Sequence, residues 1–256
     1  MCRTGAGLIL ALLKRRLWLW QNRLIPSLGL ILILPVFIFT MVDLSLKNIL
    51  IRSLSGVPFD RWVFPGLVFI IASIGLFPLL YRDFFDLRIH RKLLINVALA
   101  PYSKRTLITG YLVVAGIEAI IIGLVSTVIY SGLIPFPLTG LQFFFMIFCL
   151  GIYLLLLGNL FISIALIVDT VTTIIFIIFM VFLLVLFGNG FIIEFGFFPQ
   201  AIEMILKWQP LSIPYQSLQL FLSNGMVDWT LISFSIVLGW GWMVLNSMIL
   251  KGRLRQ

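Results

Sequence analysis

Few side chains in this sequence have chemistry to offer, and they are unevenly placed. Among 256 residues there are nine carboxylates and one histidine against eighteen lysines and arginines. Between Tyr81 and Arg105 lie six of those cations (Arg82, Arg88, Arg91, Lys92, Lys104, Arg105), two of the carboxylates (Asp83, Asp86) and the histidine, His90. Phe84, Phe85, Leu87, Ile89, Leu93 and Leu94 are interleaved with these charges. That pattern suits a short amphipathic helix packed on a partner or on a membrane surface, because a merely solvated loop gains nothing from exposed phenylalanines. The plainer reading is a wet segment whose charges only set topology. Glu118 is the second feature: it sits in the middle of a long apolar run, where an ionised carboxylate costs about 2.5 kcal/mol or more. It must face a bundle interior, a cavity or a partner, or stay protonated. Ala115, Ala119 and Gly123, four apart, make a small-residue strip beside it that lets a neighbouring helix come close. Glu118 is therefore either a polar point on a substrate or proton path or a carboxyl hydrogen-bonded to a neighbouring helix, with Ser126 in reach. Asp169 is expected to be a loop carboxylate.

Several chemistries find no support. His90 is alone and Cys2 and Cys149 are far apart, so no metal-ligand spacing exists and two unpaired thiols are expected. No Ser-His arrangement is visible. No G-x-x-x-x-G-K-[ST] phosphate loop occurs, so no cofactor or nucleotide is assigned to this chain. The net charge of +9 is spread through the gaps between apolar runs and forms no stripe, which argues for membrane topology and against nucleic acid.

The elements that must position these residues are membrane helices. With 62% hydrophobic and 11% charged residues and a mean hydropathy of +1.19, the chain is far more apolar than a soluble domain. One transmembrane domain over 1–256 is expected, all-α and polytopic, with six spans at about 24–42, 62–81, 106–130, 140–168, 171–187 and 229–250. Pro35 is expected to kink the first. Ahead of it, Leu10, Leu13, Leu17, Trp20 and Leu24 recur at helical spacing opposite Lys14, Arg15, Gln21 and Asn22, the pattern of an interfacial amphipathic helix facing anionic lipid. Residues 188–228 are apolar yet broken by Gly190, Gly196, Pro199, Pro210 and Pro214, which suggests re-entrant or interfacial segments before the last span. Glu203 and Lys207, at i and i+4, support a short helix there.

Placing the N-terminus in the cytoplasm puts fourteen of the eighteen cations on the inner side and leaves Lys47, Arg52, Arg61 and Lys207 outside. That asymmetry predicts cytoplasmic N- and C-termini and a bacterial-type cytoplasmic (inner) membrane protein.

The order of several short phrases resembles the type 2 ABC exporter permeases. Pro65-Gly66 opens the second span, the charged segment Arg82 to Lys92 follows, then Leu93-Leu94-Ile95-Asn96-Val97-Ala98-Leu99-Ala100-Pro101-Tyr102-Ser103, and Gly110 opens the third span. Gln209-Pro210-Leu211-Ser212 is similar to the family's Asn-Pro-Leu-Thr phrase before an amphipathic stretch, here Tyr215 to Leu222. The chain departs from the family at Ile89-His90-Arg91-Lys92, where Glu-x-Gly is common, and at Gln209. The resemblance implies a permease that moves a lipid, polysaccharide or drug-like substrate outward. It implies a separate ATPase subunit, in two copies, that binds ATP and Mg and seats on Arg82, Asp83, Asp86, Arg88, His90, Arg91 and Lys92. It also implies a second permease copy or close relative. Other classes stay open: a proton-coupled secondary transporter using Glu118, or a membrane assembly factor. An intramembrane enzyme has no residues to support it.

Overall fold

The computed structural model describes residues 5–22, 24–46, 58–92, 102–134 and 138–253, and nearly all of them are helical. Of the phrase Leu93 to Ser103 named above, all of 93–101 lies outside these residues, as do Lys47 and Arg52. Helix α1 (Gly5–Gln21) precedes α2 (Leu24–Phe39), which ends in a π-helical turn at Thr40–Leu44. Helix α3 (Phe59–Leu80) runs on through a π-helical stretch (Tyr81–Asp86) into a last α turn (Leu87–Ile89). Then come α4 (Lys104–Leu133), α5 (Gly140–Ile167) and α6 (Val171–Leu183), the last extended by a π turn at Leu184–Gly188. A 3-10 turn (Phe195–Phe197), α7 (Gln200–Trp208) and α8 (Ile213–Asn224) lead to α9 (Trp229–Arg253).

Local chemistry sets these boundaries. Ser103 Oγ accepts the Thr106 amide at 3.1 Å and opens α4, and Asp228 Oδ1 does the same for Thr230 at 3.0 Å at the start of α9. Gly225, at φ +69, closes α8 in the left-handed conformation that glycine adopts without penalty. A three-residue turn, Val168-Asp169-Thr170, makes α5 and α6 antiparallel neighbours.

Six helices among the described residues are long and apolar enough to cross a membrane, at 27–44, 62–89, 104–133, 140–167, 171–188 and 229–253. They are not equivalent. The spans at 62–89 and 140–167 are 72% and 67% buried within the bundle, whereas 27–44 and 171–188 are each 22% buried. So α3 and α5 form the centre, and α2 and α6 are edges whose apolar faces point outward. Helix α4 joins the two layers, packing on α1, α2, α3, α5 and α9. Its small strip does this: Ala115, Ala119 and Gly123 are buried, and Gly123 lies against Val68 and Leu150. Between α5 and α9 the seam is polar. Asn246 Nδ2 donates to the Asn159 carbonyl at 2.9 Å, Ser163 Oγ to Asn246 Oδ1 at 2.6 Å, and Trp242 Nε1 to Ser163 Oγ at 2.9 Å. Such bonds hold helices together where apolar packing alone gives little preference over lipid.

Two elements differ from the sequence-based expectation. The second span does not stop at Tyr81. It continues to Ile89 because Asp83, Phe84, Phe85 and Leu87 are buried against the bundle, so the first part of the charged segment, 81–89, is an extension of α3. Helix α1 presents a different face from the one its apolar spacing suggests. Leu10 and Leu17 are exposed, while the stripe Leu8, Leu12, Arg16 and Trp20 turns inward, with Leu8 and Leu12 over Gly110. An arginine lies on the buried stripe because its acceptors lie there.

Candidate functional site

The charged segment is anchored at its base. Arg16, from α1, donates to Asp83 Oδ2 at 2.5 Å, and Arg15 and Arg82 lie 3.7 and 3.8 Å from the other carboxylate oxygen. The Asp83 side chain is 3% exposed, so this is a buried ion cluster in which one carboxylate faces three guanidiniums. Removing one partner of a buried pair strands charge without solvent, which is why such a cluster fixes its members firmly even when its net contribution to stability is small. Phe84 stacks edge-on against Tyr111 of α4 at 5.4 Å, and Phe85 lies over Tyr81 at 5.2 Å. The phenylalanines that looked out of place among charges are the packing surface of the extension.

Glu118 belongs to the same assembly. Trp20 Nε1 donates to its Oε1 at 2.5 Å, and Arg16 Nε is 3.7 Å from Oε2. Its partner is thus a neighbouring helix, but α1 and not the Ser126 side chain, whose hydroxyl donates to the Ile122 carbonyl at 2.8 Å. Sequence reasoning did not single out Arg16, and it gave Trp20 only a place on the apolar face of α1. The available signal was their position on a stripe of four-residue steps, Leu8, Leu12, Arg16, Trp20, which places both on one helix face.

Further along, Arg88 turns back into the bundle. Its Nη1 donates to the Leu166 carbonyl at 2.7 Å and pairs with Asp169 Oδ1 at 2.9 Å, and its Nη2 donates to the Val168 carbonyl. Arg253, near the end of α9, donates to the Ile167 carbonyl at 2.9 Å and lies 3.6 Å from Asp169 Oδ2. Asp169 is a loop carboxylate that ties two other elements together.

Among residues 82–92 the exposed ones are at the tip. His90, Arg91 and Lys92 are exposed; Arg91 reaches back to Asp86 at 2.9 Å, and Lys92, beyond the last helical turn, has φ +50. The candidate residues therefore fall into two groups. Arg82, Asp83 and Arg88 face the bundle, and Asp86, His90, Arg91 and Lys92 form the accessible end.

The opposite end of the bundle is built differently. The backbone between Gly188 and Phe195 crosses the first turns of α3 so closely that a Cβ on Gly66 would run into the Phe191 carbonyl oxygen. Phe191 then joins Phe69, Tyr153 and Tyr215 in a buried aromatic cluster, with ring centres 4.7 to 5.5 Å apart. Burial pushes the Tyr215 phenol above its ordinary range. Gln209 Nε2 donates to the Gly188 carbonyl at 2.6 Å and to Asn189 Oδ1, fastening the start of this crossing to the end of α7. A cavity of about 480 Å³ opens here, with Trp62, Glu203, Lys207, Gln216 and Gln219 among its walls.

Among the described residues, no group of three or more His, Cys, Asp or Glu side chains is placed to hold a metal ion. No curated protein matches the chain. The family model of the ABC-2 type transporter does, over residues 7–222, a stretch that runs from α1 through the whole charged segment and the aromatic cluster to the end of α8. A multi-pass helical bundle that carries this match over most of its length is the membrane subunit of an ABC transporter, and the chain belongs to the ABC-2 type transporter family.

Proposed function

We propose that this permease is driven by a separate ATPase subunit seated on the accessible end of the segment 82–105, and that it moves a lipid, polysaccharide or drug-like substrate outward. The observation that carries the reading is the division of that segment into a buried base and a bare tip. Within residues 82–92, Asp83, Phe84 and Phe85 are fixed in the bundle, whereas His90, Arg91 and Lys92 are exposed. A push on the tip is then a push on α3, the most buried span, and through Asp83 on α1 and α4. Packed helices answer such a push by rigid shifts, because close-packed interfaces move as units. ATP and Mg belong to the partner.

The orientation follows from the same cations. The positive-inside bias favours a cytoplasmic position for the end that gathers Arg15, Arg16, Arg82, Arg88 and Arg253, and with it cytoplasmic N- and C-termini in a bacterial-type inner membrane. The aromatic cluster and its cavity then face outward, where the crossing at Phe191 would close the exit. Helices α2 and α6 expose apolar residues such as Ile25, Ile33, Ile175 and Phe176, surface that meets lipid or a second permease copy. Two permeases and two ATPases complete the assembly. Glu118, bonded to Trp20 and Arg16, serves this reading as a fastening for α1, and the proton-coupled alternative gains nothing from that geometry.

Purification from native membranes followed by mass spectrometry tests the reading. An ABC ATPase should accompany the wild type, and Arg91→Glu should lower the amount retained about tenfold, equivalent to about 1.4 kcal/mol of docking free energy. Equal retention by wild type and variant would argue against docking at the tip.

A further inference from the structure

At the cytoplasmic end Asp169 does more than terminate a helix. The last carbonyls of α5 have no partners within their own helix, and those of Leu166, Ile167 and the capping residue Val168 are taken by guanidiniums from elsewhere: Leu166 and Val168 by Arg88, Ile167 by Arg253. Cations are favoured at a helix C-terminus, and charge-assisted bonds are the stronger kind. Two guanidiniums side by side repel each other. Asp169 offsets that by giving one oxygen to each, Oδ1 to Arg88 at 2.9 Å and Oδ2 to Arg253 at 3.6 Å. Helix α9 packs chiefly on α4, α5 and α8, so this bridge is what links its end to the extension of α3. Asp169 itself is 58% exposed, whereas the Arg88 side chain is 13% exposed. The arginine is fixed and the carboxylate is the member that water and salt reach.

We infer that Asp169 is a positioning residue which, with Arg88 and Arg253, makes the ATPase-facing segment, the α5–α6 turn and the end of α9 move as one piece. The inference rests on the reading of segment 82–105 given above, and names the route by which a push there reaches helices that the tip does not touch. Without the carboxylate, Arg88 and Arg253 repel, α9 is released, and movement of α3 no longer carries it.

The test uses the assembled permease–ATPase complex in nanodiscs, in a Cys2→Ser background, with Met226→Cys as reporter at the opposite end. Met226 is 73% exposed and lies in the connection from α8 to α9. The rate of labelling by a membrane-impermeant maleimide is measured with and without trapped nucleotide. The wild-type background should show a nucleotide-dependent change. Asp169→Asn should reduce that change at least threefold while the ATPase stays bound, and Asp169→Glu should restore it. Exchanging the charges, with Arg88→Asp and Asp169→Arg together, should recover more of the response than Arg88→Asp alone. An undiminished response in Asp169→Asn overturns this inference and leaves the docking reading standing. No response in the wild type, with the ATPase bound, overturns both. Should Asp169→Asn fail to assemble, Arg253→Gln takes its place, and a wild-type response from that variant overturns the inference.

Discussion

The two ends of this bundle are held by different physics. At the end that carries the segment 82–92, charges do the holding: Asp83 among Arg15, Arg16 and Arg82, Asp169 between Arg88 and Arg253, Asp86 with Arg91. At the opposite end, the holding is steric and aromatic, with Gly66 under the Phe191 backbone and four rings in mutual contact. Ion pairs have long reach and tolerate an ångström of shift, whereas a backbone-on-backbone contact tolerates none. An end that must receive a push and relay it is suited by the first kind. An end that must keep a path shut until the whole bundle rearranges is suited by the second.

Substitutions at each end sharpen this contrast. The largest effect is expected at Gly66: Gly66→Val puts side-chain atoms where the Phe191 carbonyl lies, and monodisperse protein should be nearly absent on size-exclusion chromatography. Asp83→Asn comes next. It leaves three guanidiniums around a neutral amide and should cost about 3–5 kcal/mol, read as a lowered Tm of the purified permease. Tyr153→Phe removes only the hydroxyl that meets Ser73 at 2.8 Å and keeps the ring in its cluster, so about 1 kcal/mol is expected in the same assay. The smallest effect belongs to Lys207→Gln, which breaks an exposed i,i+4 pair with Glu203 at 2.6 Å and should cost about 0.5 kcal/mol or less. A large loss at Lys207 together with a small one at Asp83 would invert the comparison.

Six apolar runs were legible in the sequence because a membrane helix announces itself by length and composition alone. So was the short helix of Glu203 and Lys207, since an i,i+4 pair between prolines is a local signal. The small strip on α4 was legible too, although its partners, Val68 and Leu150, were not. What stayed hidden were contacts whose two members are far apart in the chain. Asp83 looked like part of a wet segment because Arg16, which pulls it under, stands 67 residues earlier. Asp169 looked idle because Arg88 and Arg253 come from 81 and 84 residues away on either side. The aromatic cluster was invisible for the same reason: in a chain with 24 phenylalanines, nothing local sets Phe69 and Phe191 apart from those that face lipid.

The contrast between the ends also yields the most direct test of the account. A photoreactive amino acid is placed at position 92, on the bare tip, and in a parallel variant at position 226, on the opposite end, and native membranes are irradiated. The account predicts an adduct between the permease and an ABC ATPase from position 92 and none from position 226. An ATPase that accompanies the permease through purification yet forms no adduct from position 92, or forms one from position 226, would contradict it.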